Sequence, residues 1–132
     1  ESGSAAPDDA EERELLAKYV KAFEDYDMSA LTALLHDDAQ FSMPPFPLWI
    51  TGPDDIATFM TTTGAKCEGS RVLTTQANGG PAIAIYNPKP EGHFDPWAIV
   101  AIEQSGGQIT GLHHFIYPEM FAAFGLPARI EA

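Results

Sequence analysis

From Asp8 onward, apolar residues recur every three or four positions: Leu16, Tyr19, Val20, Phe23 and Tyr26. That spacing predicts an amphipathic helix. Asp8 or Asp9 can cap it, and Glu11 and Glu12 lie near the positive end of its dipole. Asp27 offers a new N-cap for a short helix, MSALTALL, with Leu31, Leu34 and Leu35 inward. AQFSM then alternates as a strand and ends at the prolines. A third helix is predicted over GPDDIATFMTTTG: Pro53 suits its first turn, Asp54 and Asp55 its dipole, and Gly64 its stop.

Beyond Gly64 the period changes to alternation. SRVLTTQAN, PAIAIY, FDPWAIVAIE and QITGLHHFIY read as strands, separated by the turn chemistry of GG, NPKPEGH and SGG. The NGG at Asn78–Gly80 reads as a hairpin and not a phosphate loop, because no helix follows it. A short helix, PEMFAAFG, closes the pattern. Helices followed by an antiparallel meander predict an α+β fold, with helices packed on one face of a curved sheet.

One segment obeys neither period. Between His36 and Asp55, FSMPPFPLW sets Phe41, Met43, Phe46, Leu48 and Trp49 among Pro44, Pro45 and Pro47. Prolines argue against a central strand, and this many aromatics argue against a flexible linker. One wall of a pocket is the expected use. Phe46, Leu48 and Trp49 then either close that pocket or form an exposed patch that docks a partner.

Composition narrows the setting. A chain of 132 residues with 45% apolar side chains suits one domain. Residues 1–10 read as an acidic flexible leader or linker and 11–130 as the folded unit, a piece of something longer. No apolar run approaches the roughly 18 residues of a membrane span, and nothing at the start directs export. With the lone Cys67 excluding an internal disulfide, a cytoplasmic setting is expected. Seven Lys and Arg against nineteen Asp and Glu leave a net charge of −12. Such a chain has no stripe to neutralise phosphates, so neither nucleic acid nor an anionic membrane is its expected partner.

The order of a long helix, a short helix, LLHDDAQFSMPP and a meander ending in FGLP resembles the SnoaL-like group of the nuclear-transport-factor-2-like superfamily. The resemblance implies a cone of helices and curved sheet around one deep pocket. FSMPPFPLWITGPDDIATFM, CEGSRVLTTQANGGPAIAIY, GHFDPWAIVAIE and FGLPARI are, more narrowly, similar to the C-terminal domain of a subfamily of extracytoplasmic-function sigma factors. This match runs from about Glu12 to Ile130. It implies a regulatory module whose partners are the sigma core domains or RNA polymerase, with a small apolar ligand as a further partner. Pairing of two copies across open sheet faces is an alternative the superfamily also implies.

Some relatives are enzymes, so the implied pocket positions matter. The ketosteroid isomerase pattern places its hydrogen-bonding Tyr at Tyr19, its base at Met43 and its second acid at Ile99. A thioether and an alkyl chain exchange no protons, so that chemistry lacks its general base. Strand alternation supplies the remaining expected lining. It groups Ala82, Ala84 and Tyr86, then Trp97, Ile99 and Ala101, then Leu112, His114 and Ile116, with His113 turned away. Together with Tyr19, Phe23, Phe41, Met43, Trp49 and Phe59, these predict apolar walls with polar tips at Tyr19, Tyr86, Trp97 and His114.

For acid–base chemistry the candidates are His114 and Asp95, the latter placed at the cavity mouth. They carry the alternative reading of a stand-alone polyketide-cyclase-like or isomerase-like enzyme. Asp37 and Asp38 are expected in turn hydrogen bonds, Asp54 and Asp55 at a helix start, and Cys67 in a structural role. No cofactor is expected, nor a metal from His36, His93, His113 and His114, since adjacent strand histidines point opposite ways.

Overall fold

In the computed structural model, which describes residues 5–77 and 80–131, Leu15, Tyr19, Ala22 and Phe23 form the buried face of helix α1 (Ala5–Glu24). The helix starts ahead of the expected Asp8, within the segment read as leader. It closes at Tyr26, whose φ of 53° reverses the chain so that the Asp27 N–H donates to Ala22 O at 2.8 Å. Asp27 then caps α2 (Met28–Thr32), its side chain accepting from the Ala30 N–H at 3.1 Å. That short turn buries Leu31.

Strand β1 (Leu35–Met43) begins earlier than its alternation suggested. Asp37 and Asp38 therefore lie in a strand and not in a turn, both exposed, and the Asp38 N–H donates to His36 Nδ1 at 2.9 Å. The proline-rich segment also becomes a strand, β2 (Phe46–Thr51), paired antiparallel with β1. Its one proline, Pro47, is tolerated because β2 is a sheet edge, where a missing donor removes no ladder bond on the open side. Gly52, at φ 95°, makes the turn into α3 (Pro53–Thr61), a backbone conformation that L side chains rarely adopt. Asp54 and Asp55 sit in the first turn of α3, and Ile56 and Met60 form its buried side.

The meander follows as β3 (Arg71–Ala77), β4 (Gly80–Pro88), β5 (Phe94–Ser105) and β6 (Gln108–Phe115). Asn78 and Gly79, where the hairpin was expected, lie outside the described residues. The sheet order is β2-β1-β6-β5-β4-β3, antiparallel except for the parallel pair β1–β6. That pair makes the six-stranded sheet mixed. In place of one closing helix, two 3₁₀ turns follow, Pro118–Met120 and Ala122–Phe124.

Both faces of β4 and β5 are apolar. Ile83, Ile85, Val100 and Ile102 pack into the cluster that contains the helices, whereas Ala82, Ala84, Tyr86 and Ile99 pack with Phe121. The C-terminal segment covers this second face. The Tyr86 hydroxyl donates to Pro127 O at 2.8 Å, and Ile130 exchanges two backbone bonds with Phe94. Alternation alone cannot choose between two buried faces, and a one-residue change of phase moves every side chain across. A bulge decides one more position. Ile85 pairs with Ala98 but Tyr86 pairs with Pro96, so Trp97 is the extra residue and joins the helix-side cluster.

Candidate functional site

A cavity of about 420 Å³ lies between the helices and the sheet. Phe23 comes from the end of α1 and Tyr26 from the turn after it, Phe41 and Met43 from β1, and Phe46 and Leu48 from the edge strand. Phe59 and Met60 of α3 face them, with Thr63, Gly64 and Cys67 in the turns beyond. Trp97 enters by the bulge, and His114 and Ile116 complete the wall. Among the described residues no Asp, Glu, Lys or Arg lines this space.

The polar atoms of the wall differ in what they are free to do. The Tyr26 hydroxyl is committed to structure, within 2.8 Å of Met60 O and 2.9 Å of Gly64 O. Burial, with smaller contributions from Cys67 and Glu68, pushes it up to about 12, so it stays protonated. The His114 ring is fully buried, with centroids 4.4 Å from Phe41 and 6.1 Å from Trp97. Burial lowers its pKa to about 4, which keeps the imidazole neutral around pH 7. Its Nδ1 is buried and makes no hydrogen bond of good geometry among the described residues, while the Ser42 and Leu112 backbone beside the ring offsets part of the effect of burial. Beside the cavity, Tyr19 stacks on Phe23 with ring centroids 6.2 Å apart. Its hydroxyl is also buried and unpartnered, and burial raises its pKa.

Of the residues expected in the lining, the structure brings together Phe23, Phe41, Met43, Phe59, Trp97, His114 and Ile116. Tyr19 and Leu112 belong to the same core but do not reach the cavity. Ala82, Ala84, Tyr86 and Ile99 are on the opposite face of the sheet, under Phe121, because their strand phase is the reverse of the one assumed. Trp49 is also turned away. It is 65% exposed and meets His113 edge-on, while its neighbours Phe46 and Leu48 line the cavity.

Asp95 does not stand at the cavity mouth. Its Oδ1 lies 3.1 Å from His93 Nε2. Tyr26, Met60, Thr63 and Gly64 were missed, and Cys67 was given only a structural role. Same-face helical spacing holds the signal for several of them: Phe23 with Tyr26, and Phe59 with Thr63.

His113 belongs to a separate arrangement, turned away from the cavity as expected. Ser42 Oγ lies 2.8 Å from its Nδ1, and Glu103 Oε1 lies 3.2 Å from its Nε2. In the tautomer whose Nε2–H donates to Glu103, Nδ1 accepts from the Ser42 hydroxyl. Gly111 makes the room, since a Cβ there would collide with Glu103 Oε1. The serine–histidine–carboxylate order resembles a nucleophile relay, but Ser42 is held near the end of a strand and paired there on both sides. Its role is to tie β1, β6 and β5 together.

No group of three or more His, Cys, Asp or Glu that could hold a metal ion occurs among the described residues. Nor is any described helix long and apolar enough to cross a membrane.

Comparison with known proteins agrees with this architecture. Residues 16–115 match the model of the SnoaL-like domain. Over 125 residues the chain is 33% identical to the ECF RNA polymerase sigma factor SigG of Mycobacterium tuberculosis, in strains CDC 1551 / Oshkosh and ATCC 25618 / H37Rv. That alignment covers 93% of this chain and 34% of the relative, so the chain spans about a third of the length of the curated relatives it matches.

Among solved structures, an NTF-2 like protein from Burkholderia xenovorans LB400 superposes with a TM-score of 0.69 at 18% identity, covering 82% of this chain and 84% of that one. An LEH-like epoxide hydrolase from M. tuberculosis gives a TM-score of 0.60 at 19% identity, covering 87% and 90%. A de novo designed protein with a curved β-sheet gives 0.64 at 14% identity, covering 88% and 93%. At such identities these likenesses establish the fold alone. With the family model spanning residues 16–115 and its helices seated on an open, curved, six-stranded sheet, this chain belongs to the SnoaL-like domain family, of the NTF2-like fold.

Proposed function

We propose that this domain is a non-catalytic regulatory module of an extracytoplasmic-function sigma factor. It tunes transcription initiation through contact with the sigma core domains or RNA polymerase, biased by a small apolar ligand in the cavity. The observation that carries the reading is the 33% identity to SigG across 93% of the chain. The cavity supports the non-catalytic part: its position for a base is the thioether of Met43, and no carboxylate lines its described wall. The charge of −12 favours a basic protein surface over DNA as the contact. For a ligand to switch the module, it must bind two arrangements of the parent protein with different affinity.

The test is transcription by the full-length sigma factor carrying this domain, reconstituted with core polymerase. Thr63 lines the cavity from an exposed turn, so Thr63→Trp fills the space without rebuilding the core. A severalfold change in transcript yield, in either direction, is expected from Thr63→Trp and from removal of the domain. Unchanged yield on removal refutes the regulatory reading.

One observation favours a second reading, an isomerase-like or cyclase-like enzyme: His114 is a buried ring in the wall whose Nδ1 makes no hydrogen bond of good geometry among the described residues. Its pKa near 4 makes it a weak base at neutral pH. Proton exchange on ketone substrates that is abolished in His114→Ala would install the enzyme instead.

A further inference from the structure

Lys and Arg are unevenly placed on this fold. Strands β1, β2, β5 and β6 and helix α3 contain neither, while they carry Asp37, Asp38, Asp54, Asp55, Asp95 and Glu103. The basic residues lie on α1 and β3, and at Lys66, Lys89 and Arg129. The half of the sheet formed by β2-β1-β6-β5 therefore holds carboxylates with no Lys or Arg among them.

The outer face of that half, turned away from the helices, is open among the described residues. The C-terminal segment covers the other half, where Phe121 packs with Ala82, Ala84 and Tyr86. On the open half Trp49 is 65% exposed, and its ring meets His113 edge-on with centroids 6.0 Å apart. His113 Nε2 lies 3.2 Å from Oε1 of the exposed Glu103. Trp49, His113 and Glu103 thus form a row across β2, β6 and β5, with an indole at one end and a carboxylate at the other. Phe46 and Leu48 line the cavity, whereas the Trp49 indole is left to solvent.

Such a row fits a cationic partner. An indole face attracts a guanidinium or ammonium group, more strongly once docking excludes water. Exposed carboxylates add steering and salt dependence and little affinity of their own. A second copy fits poorly, because two-fold pairing of this face sets carboxylate against carboxylate with no Lys or Arg on the four strands to answer them. The alignment covers 34% of the SigG relative, so most of such a factor is a covalently joined neighbour, present at high effective concentration.

Resting on the reading of this domain as a sigma-factor module, we infer that the Trp49–His113–Glu103 face is its docking surface, and that its occupant is a basic segment of the parent factor's own core domains. A cationic side chain of that segment lies on the Trp49 indole, and a second pairs with Glu103.

Hydroxyl-radical footprinting read by mass spectrometry tests this on the full-length factor and on this chain alone. Trp49 should oxidise severalfold more slowly in the full-length factor. Met120, exposed and outside this face, should oxidise equally in both. Glu103→Arg, or raising salt from about 0.05 M to about 0.5 M, should return Trp49 part of the way to the reactivity of the chain alone. In the transcription assay, Trp49→Ala should move transcript yield severalfold in the same direction as removal of the domain.

Equal oxidation of Trp49 in both proteins overturns the inference. So does protection that appears only when core polymerase is added, or in this chain alone as its concentration rises, the signature of a second copy. Protection that neither Glu103→Arg nor salt weakens overturns the basic occupant. A yield that responds to removal of the domain while Trp49 stays unprotected sinks this inference and leaves the regulatory reading standing. Protection with yield indifferent to removal does the reverse.

Discussion

His114 and Phe41 meet diagonally across the parallel pair β6–β1, with ring centroids 4.4 Å apart and planes tilted by 35°. This contact places an imidazole in apolar surroundings, and burial holds its pKa at about 4 against 6.5 for a free ring. The unfolded chain therefore binds a proton that the folded chain refuses between those values. Stability contributed by the neutral ring is complete above about pH 6.5 and is lost as the pH falls toward 4. The difference corresponds to about 3 kcal/mol. Denaturant titrations from pH 7 to pH 4 should show this loss, and His114→Leu should remove it from the pH dependence.

Met43 is buried in the wall where the isomerase resemblance expects a base. Met43→Asp would bury a carboxyl there with no cation in the described lining. Its pKa should rise, so the folded state binds the extra proton and the penalty grows as pH increases through that raised value. A loss on the order of 3 kcal/mol is expected at neutral pH, shrinking in acid. Chemical denaturation at two pH values, Met43→Leu serving as the apolar control, reads it out.

Phe121 anchors the C-terminal segment by packing edge-on against Tyr86, with ring centroids 5.1 Å apart. Phe121→Ala should cost roughly 3–5 kcal/mol, since the ring is nearly inaccessible and fills the second face. Tyr86→Phe removes only the hydroxyl bond to Pro127 O and should cost about 1 kcal/mol. Melting both variants ranks them; equal losses would mean the segment is held by its polar contacts and not by burial.

Gly111 lets Glu103 and His113 lie over its backbone. In Gly111→Ala the new methyl crowds both the exposed, movable Glu103 carboxylate and the less exposed His113 Nε2, 2.9 Å away, and parts the two. Stability should change by no more than about 1 kcal/mol, because a strand gains from losing a glycine. The local signature is a changed His113 imidazole resonance with His114 unaffected. A larger loss would show that the Ser42–His113–Glu103 chain holds the strands together more strongly than its exposure suggests.

The sequence by itself determined the first and third helices, the meander and the apolar character of the pocket. Asp27 as a cap, Pro53 with Asp54 and Asp55 at a helix start, and His113 opposed to His114 were all legible, because each depends on neighbours within one turn or one strand step. What only the tertiary structure decided was which side of the sheet is inside. Ala82–Tyr86 and Trp97–Ile102 are apolar in both phases, so the choice fell to partners far along the chain: Phe121 covering one face, and the bulge that turns Trp97 to the other. The edge position that makes Pro47 acceptable in β2 and the parallel β1–β6 pair beside His114 are likewise properties of the sheet order, which no local pattern encodes.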